Sequence, residues 1–241
     1  DIAMITSLGR EDNINELVRN YGMVIVDECH HAAAVTHENV LRAVTARYIY
    51  GMSATINRGD KQDKKMFMQL GPIRHRYTAK ERAQKQGIGH YIYPRFTRLV
   101  DLNQSEDRNP ADYYRLIMQS ELRNMQIVSD TIDCVKRGRT PVVMTKYKEH
   151  AQKLYDMLQG SADHVFLLQG GKSLKERAAI REDMAAVKAD ESIILVAIGQ
   201  YVGEGFNYPR LDTMLLAMPI SFEGNVEQHA GRLNRDYEGK K

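Results

Sequence analysis

No stretch of this sequence stays apolar for anything near the roughly 20 residues that cross a bilayer, and Asp1 to Arg10 lack the basic-then-apolar pattern of a secretory signal. A membrane-spanning or exported protein is not expected, and cytoplasmic is the default location. Cysteine is scarce: Cys29 and Cys134 stand alone, without the paired spacing of a zinc knuckle or a disulfide framework, which predicts reduced thiols. Charge of one sign is also lacking. A net charge of +3 over 241 residues tolerates a polyanionic partner but is far from the signature of a dedicated nucleic-acid-binding tail. Internal repeats and low-complexity tracts are absent. What remains is 43% apolar and 27% charged, the balance of a soluble globular protein with a real core. The length allows one large domain or two modest ones. The chain starts without Met and stops at Gly239-Lys240-Lys241 with no capping signal, so it is expected to be an excerpt from something longer.

Several short runs are continuously apolar, as strands buried on both faces of a parallel sheet are. They are Met23 to Val26, Tyr48 to Tyr50, Val142 to Met144, Val165 to Leu168, Ile193 to Val196 and Met214 to Leu216. Between them, helical periodicity covers Ile14 to Asn20, Val40 to Thr45, Tyr113 to Val135, Lys148 to Leu158, Leu174 to Val187 and Val226 to Leu233. Strand alternating with helix predicts an α/β architecture with right-handed crossovers. The polar region from about Ala79 to Pro110 interrupts this rhythm and is the expected lobe boundary.

Ligands of parallel α/β sheets gather beyond the carboxyl ends of the strands. After Met23 to Val26 comes Asp27-Glu28-Cys29-His30, where one carboxylate could hold Mg²⁺ through water and its neighbour polarise an attacking water. An exposed acidic turn is the competing reading. After Tyr48 to Tyr50 comes Gly51-Met52-Ser53-Ala54-Thr55, whose hydroxyls could bond the acidic pair or merely sit in a small-residue turn. After Ile193 to Val196, Gly199, Gly203 and Gly205 let backbone approach a ligand closely. Gln228, Arg232 and Arg235 fall at i, i+4 and i+7 of an expected helix, one stripe suited to phosphate oxygens, with a salt-bridged surface helix as the alternative. Gly170-Gly171-Lys172-Ser173 imitates a phosphate-binding loop but fails on spacing, because its first glycine would have to stand at Phe166, inside a strand. Cys29, His30 and His31 are consecutive and cannot all turn to one zinc ion from a strand end.

In order, Asp-Glu-Cys-His, Ser-Ala-Thr, Gly-Glu-Gly-Phe-Asn and Gln-His-Ala-Gly-Arg-Leu-Asn-Arg follow the sequence seen in superfamily 2 helicases. The chain resembles in particular the DEAD/DEAH-like branch that contains bacterial helicases and the motor subunits of restriction enzymes. Further echoes are Val26 to His31, Tyr91 to Arg98 and Tyr201 to Phe206.

The resemblance implies two RecA-like lobes, the first truncated at its N-terminal side. Residues 1–78 would be its back part, 79–110 a connector and 111–241 the second lobe. ATP would sit in the cleft between lobes, with Asp27 serving Mg²⁺, Glu28 the attacking water, and His30, Ser53 and Thr55 coupling hydrolysis to movement. Gly205 and Asn207 would line the nucleotide side of the second lobe, Gln228, Arg232 and Arg235 would reach the phosphates, and Arg235 would be the arginine finger. Nucleic acid, DNA before RNA, would be held through phosphates, with Arg58, Arg95 and Arg98 as candidate contacts. A fused or partner nuclease domain fits the restriction-enzyme branch, and a membrane partner is not expected. The sequence departs from the family at Asn207, where Asp is usual, at Ile198, where a Thr commonly contacts the nucleic-acid backbone, and at Ile56, where Pro often stands. The phosphate-binding loop should precede Asp1 in a parent chain, so the 241 residues alone should not hydrolyse ATP. The alternative is a helicase-fold binding or regulatory module without turnover, favoured only by Asn207 and Ile198; a generic α/β domain with coincidental motifs is a third reading.

Overall fold

The computed structural model describes residues 1–10, 13–53, 63–78, 81, 85, 87, 89, 91–97, 109–171, 173–202, 206–220, 229–233, 235, 237 and 240. The chain is mixed α/β with parallel sheets, and it divides into two compact units. The first holds the described residues of Asp1–Thr78; the second holds those of Ala79–Ser221 and His229–Lys241.

The first unit opens with helix α1 (Ile5–Leu8) and a short antiparallel pair, β1 (Gly9–Arg10) with β2 (Asn13–Ile14). The expected helix from Ile14 to Asn20 is instead this strand end followed by one 3₁₀ turn, Glu16–Arg19, capped by Asn15 Oδ1 accepting the Leu17 N–H at 3.0 Å. Two parallel strands follow, β3 (Met23–Val26) and β4 (Tyr48–Gly51), joined through a 3₁₀ turn (Cys29–Ala33) and α2 (Val35–Ala43). Helix α3 (Asp63–Leu70) packs on that turn, where Cys29, Ala32, Leu41 and Met66 make a small core with Val26, Phe67 and Leu70 at its edge. These strands were expected to be buried on both faces, and here the structure differs. Met23, Ile25, Tyr48 and Tyr50 are about half exposed (52, 57, 45 and 48%), because α2, α3 and the turn cover only the other face among the described residues.

The second unit fits the two-sided pattern. Strands β5 (Pro141–Thr145), β6 (His164–Leu168), β7 (Ile193–Ile198) and β8 (Thr213–Leu216) form an all-parallel sheet in the order β6-β7-β5-β8. Every residue of β5 and β7 is buried. Alternation along the central strands splits the core in two. Val143, Ile194 and Val196 pack with Ile127, Ala151, Leu154 and Leu158, while Val142, Met144, Leu195 and Ala197 pack with Met184, Phe206 and Leu211. Helices thus cover both faces: Glu121–Lys136 and Lys148–Leu158 on one, Leu174–Ala186 on the other. With α4 (Pro110–Gln119) introduced first, these three are α5, α6 and α7, and Gly199–Val202 is α8.

The stretch read as one helix from Tyr113 to Val135 is two. Ser120 is extended (φ −66°, ψ 101°) and ends α4 as it begins α5. The break serves a buried polar group: Asn124, wholly inaccessible, donates its side-chain N–H to the Met118 carbonyl at 2.8 Å. Asn124 Oδ1 also meets His150 Nε2 at 3.0 Å, and His150 Nδ1 meets Thr145 Oγ1 at 2.7 Å. This chain of satisfied groups ties α4, α5, α6 and β5 together. The Gly-Gly-Lys-Ser imitation resolves as helix chemistry: Ser173 Oγ accepts the Glu176 N–H and Glu176 Oε2 accepts the Ser173 N–H, a capping box that starts α7.

Burial, with the nearby charges of Arg123 and Lys153, pushes the His150 imidazole down to about 4 from its ordinary 6.5. A depressed folded-state value means that stability is fully present above pH 6.5 and falls as acid takes the pH down through 4, by up to about 3 kcal/mol at 1.36 kcal/mol per pKa unit. Urea unfolding of the second unit at pH 7 and pH 4.5 should show this loss, and His150→Gln should flatten the slope. An unchanged slope in that variant would remove His150 as its source.

Candidate functional site

β3 and β4 end together because Val26 pairs with Gly51. The chain beyond each strand is then stitched to the other: the Met52 N–H donates to the Val26 carbonyl at 2.8 Å, and the Cys29 N–H to the Met52 carbonyl at 2.9 Å. Gly51 permits this approach. A Cβ there would stand 2.8 Å from both Cys29 Sγ and Leu70 Cδ1.

Glu28 adopts φ +46°, and no other non-glycine residue among those described enters the left-handed region. That backbone costs about 1–2 kcal/mol and is typical of strain held at working sites. Asp27 Oδ1 accepts the Glu28 N–H at 2.9 Å and helps to hold it. In this conformation Glu28 Oε2 lies 3.3 Å from His30 Nδ1, which is also 2.9 Å from Ser53 Oγ. An ionised Glu28 favours the imidazole proton on Nδ1, which then donates to both oxygens, so a change at the carboxylate is felt at Ser53. Between them, Cys29 is a packing residue: burial, with the Glu28 and Asp27 charges, pushes its thiol up against an opposing backbone hydrogen bond, and its sulfur contacts Met66 Sδ at 4.0 Å.

In the second unit, residues 229–233 are helical. Arg232 Nη1 donates to the Phe206 carbonyl at 3.2 Å, and Arg235 Nη1 donates to Asn207 Oδ1. Lys240 Nζ binds the carbonyls of Pro209 and Arg235 at 2.8 and 2.9 Å. Asn207, expected to line the nucleotide side of the second lobe, is therefore engaged with the expected arginine finger. Being neutral, Asn207 accepts this bond without cancelling the guanidinium charge, as Asp would.

His229 is a member that motif reading missed. It is buried against Gly199, whose hypothetical Cβ would lie 3.5 Å from His229 Nε2, and its Nδ1 has no hydrogen-bond partner among the described residues. Burial, then the Arg232 charge, pushes its pKa down and favours the neutral ring. The available signal was its place within the Gln228-to-Arg235 stripe, one position off the polar face.

Arg95 forks onto Asp130 of α5, with Nε and Nη2 donating at 2.8 and 2.7 Å. Ile198 is buried at the end of β7. Thr55, Arg58, Arg98, Gly205 and Gln228 lie outside the described residues. No group of three or more metal-ligating side chains occurs among the described residues. The exposed Asp27 carboxylate, a hard oxygen donor at a strand end, fits Mg²⁺, which takes one or two carboxylates and completes its shell with water and phosphates.

Residues 1–58 match the family model of the type III restriction enzyme res subunit. Over 239 residues the chain is 27% identical to the "Probable helicase D10" of Escherichia phage T5, covering 94% of this chain and 48% of that protein. It is 24% identical over 242 residues to a protein of Acanthamoeba polyphaga mimivirus named as an ATP-dependent RNA helicase, covering 97% of this chain and 44% of the other. The fold is similar to that of the ATP-dependent type ISP restriction-modification enzyme LlaBIII bound to DNA, at 14% identity and a TM-score of 0.52, over 91% of this chain and 17% of that one. Together these similarities support a superfamily 2 helicase fragment. Its α/β fold with parallel sheets is RecA-like, and the chain spans a little under half the length of these two relatives. No described helix is long and apolar enough to cross a membrane.

Gly51→Ala should force Cys29 and Leu70 apart and cost roughly 1–3 kcal/mol, read as a lower denaturation midpoint of the first unit. A midpoint equal to that of the unsubstituted chain would show that the two side chains withdraw freely.

Proposed function

We propose that the chain is the larger part of an ATP-driven helicase or translocase motor acting on nucleic acid, DNA before RNA. Residues 1–78 belong to the first lobe, 79–110 connect, and 111–241 form the second lobe. The observation that carries this reading is the Glu28–His30–Ser53 contact, which joins a strained carboxylate to a hydroxyl on the neighbouring strand end. Relatives named as helicases support the class of activity.

In this reading Asp27, Glu28, Arg232 and Arg235 serve ATP hydrolysis. Bound Mg²⁺ supplies charge neutralisation at the phosphates. Glu28 orients the water that attacks the terminal phosphorus and accepts hydrogen bonds from it. His30 passes the state of that carboxylate to Ser53. Arg235 stabilises the negative charge spread over the transferring phosphoryl group, and Gln228, Arg232, Gly205 and Asn207 complete the nucleotide's surroundings. Thr55 works with Ser53, while Arg58 and Arg98 bind strand phosphates. Arg95, tied to Asp130, is assigned to holding its own segment in place rather than to phosphate.

The phosphate-binding loop is proposed to come from sequence upstream of Asp1, so the test uses the whole protein. ATP hydrolysis there should be stimulated by nucleic acid, with duplex DNA and single-stranded RNA compared. Glu28→Gln should lower turnover by at least about 10²-fold, and Arg235→Ala by roughly 10³–10⁵-fold. A folded whole protein that binds nucleic acid without any turnover would replace the motor with a regulatory module.

A further inference from the structure

The segment 91–97 carries large apolar side chains out into water. Tyr91 and Tyr93 are 76 and 78% exposed, and Ile92 and Phe96 more so. Such a cluster marks an interaction surface rather than a folding element. The two tyrosine rings lie nearly parallel, 24° apart, with centroids 6.4 Å from each other. That separation is within the ordinary range of a paired set of aromatic rings, and their exposure leaves ring faces open on which a base can stack.

Two features hold the pair in place. Tyr91 rests on bare backbone, since a Cβ on Gly89 would come within 2.9–3.1 Å of its ring carbons and hydroxyl. The Arg95 fork to Asp130 fastens the segment to α5 two residues beyond Tyr93. The surrounding sequence is also the most cationic in the chain. Residues 74–98 contain Arg74, Arg76, Lys80, Arg82, Lys85, Arg95 and Arg98 against Glu81 alone, a net +6 in a chain of net +3. Exposed aromatic rings in a cation-rich stretch of sequence match the composition that binds a single strand by stacking bases and neutralising phosphates.

We propose that Tyr91 and Tyr93 form a base-stacking clamp for a single strand of nucleic acid. The clamp rests on the nucleic-acid reading above and adds to it a contact with bases, where the other assigned contacts are to phosphates. Stacking reads the π-face common to all bases, so the clamp is indifferent to sequence and shared by DNA and RNA strands.

The chain has no tryptophan, so Tyr91→Trp introduces a single indole. Its fluorescence is titrated with oligo-dT, oligo-U and an abasic oligodeoxynucleotide of equal length, while the anisotropy of labelled strands reports binding. We expect quenching by both oligo-dT and oligo-U, whose bases share the π-face that the clamp reads, and none by the abasic strand. The double variant Tyr91→Ala/Tyr93→Ala should bind base-bearing strands roughly ten-fold or more weakly and the abasic strand unchanged. Strands that bind without altering the indole would overturn the clamp and leave the nucleic-acid reading standing. Absence of binding by all three strands would overturn both for this chain.

Discussion

The pairing of Val26 with Gly51 is the constraint on which the first unit depends. Parallel strands in register end together, and whatever follows each is forced to share the space beyond the sheet. The bonds from Met52 to Val26 and from Cys29 to Met52 extend the ladder past the last paired residues and turn two loops into one object. Gly51 is needed because the loops meet at less than the width of a methyl group. The left-handed Glu28 is needed because Cys29 must point inward to the small core while the carboxylate stays out beside His30. A slip of one residue would reverse every side chain and separate Glu28 from Ser53.

The second unit rests on a different device, a four-stranded sheet covered on both faces, and is much the better buried of the two. Its rigidity near the carboxyl ends of the strands comes from polar groups as much as apolar ones. Thr145, His150 and Asn124 fix the end of β5 against three helices. Arg232 and Arg235 hold the segment at Phe206 and Asn207, and Lys240 holds the residues that follow. The arginines are therefore structural donors as they stand, and a phosphate would have to compete with an amide and a carbonyl, both neutral acceptors weaker than a phosphate oxygen.

Much of the fold was legible from the apolar runs, since all six expected strands are present, and α6 and α7 lie where 3.6-residue periodicity put them. The failures are instructive. Ile14 to Asn20 has helical spacing, but Ile14 is taken up by pairing with Gly9 in the β1–β2 ladder and Asn15 caps a single 3₁₀ turn. The break at Ser120 was invisible because its cause, Asn124 reaching the Met118 carbonyl and His150, lies in tertiary contacts. The exposed faces of β3 and β4 were equally unreadable: a continuous apolar run looks the same whether one face is covered or two.

By itself the sequence determined the α/β class, the strands and the order of the motifs, because these follow from local periodicity and from residue types placed just after apolar runs. Only the tertiary structure decided that one histidine nitrogen joins Glu28 to Ser53, that Asn207 is the partner of Arg235, and that Arg95 belongs to Asp130. Each of these contacts links residues between 23 and 35 positions apart. Such pairs are set by strand register and helix packing, quantities that no local pattern encodes.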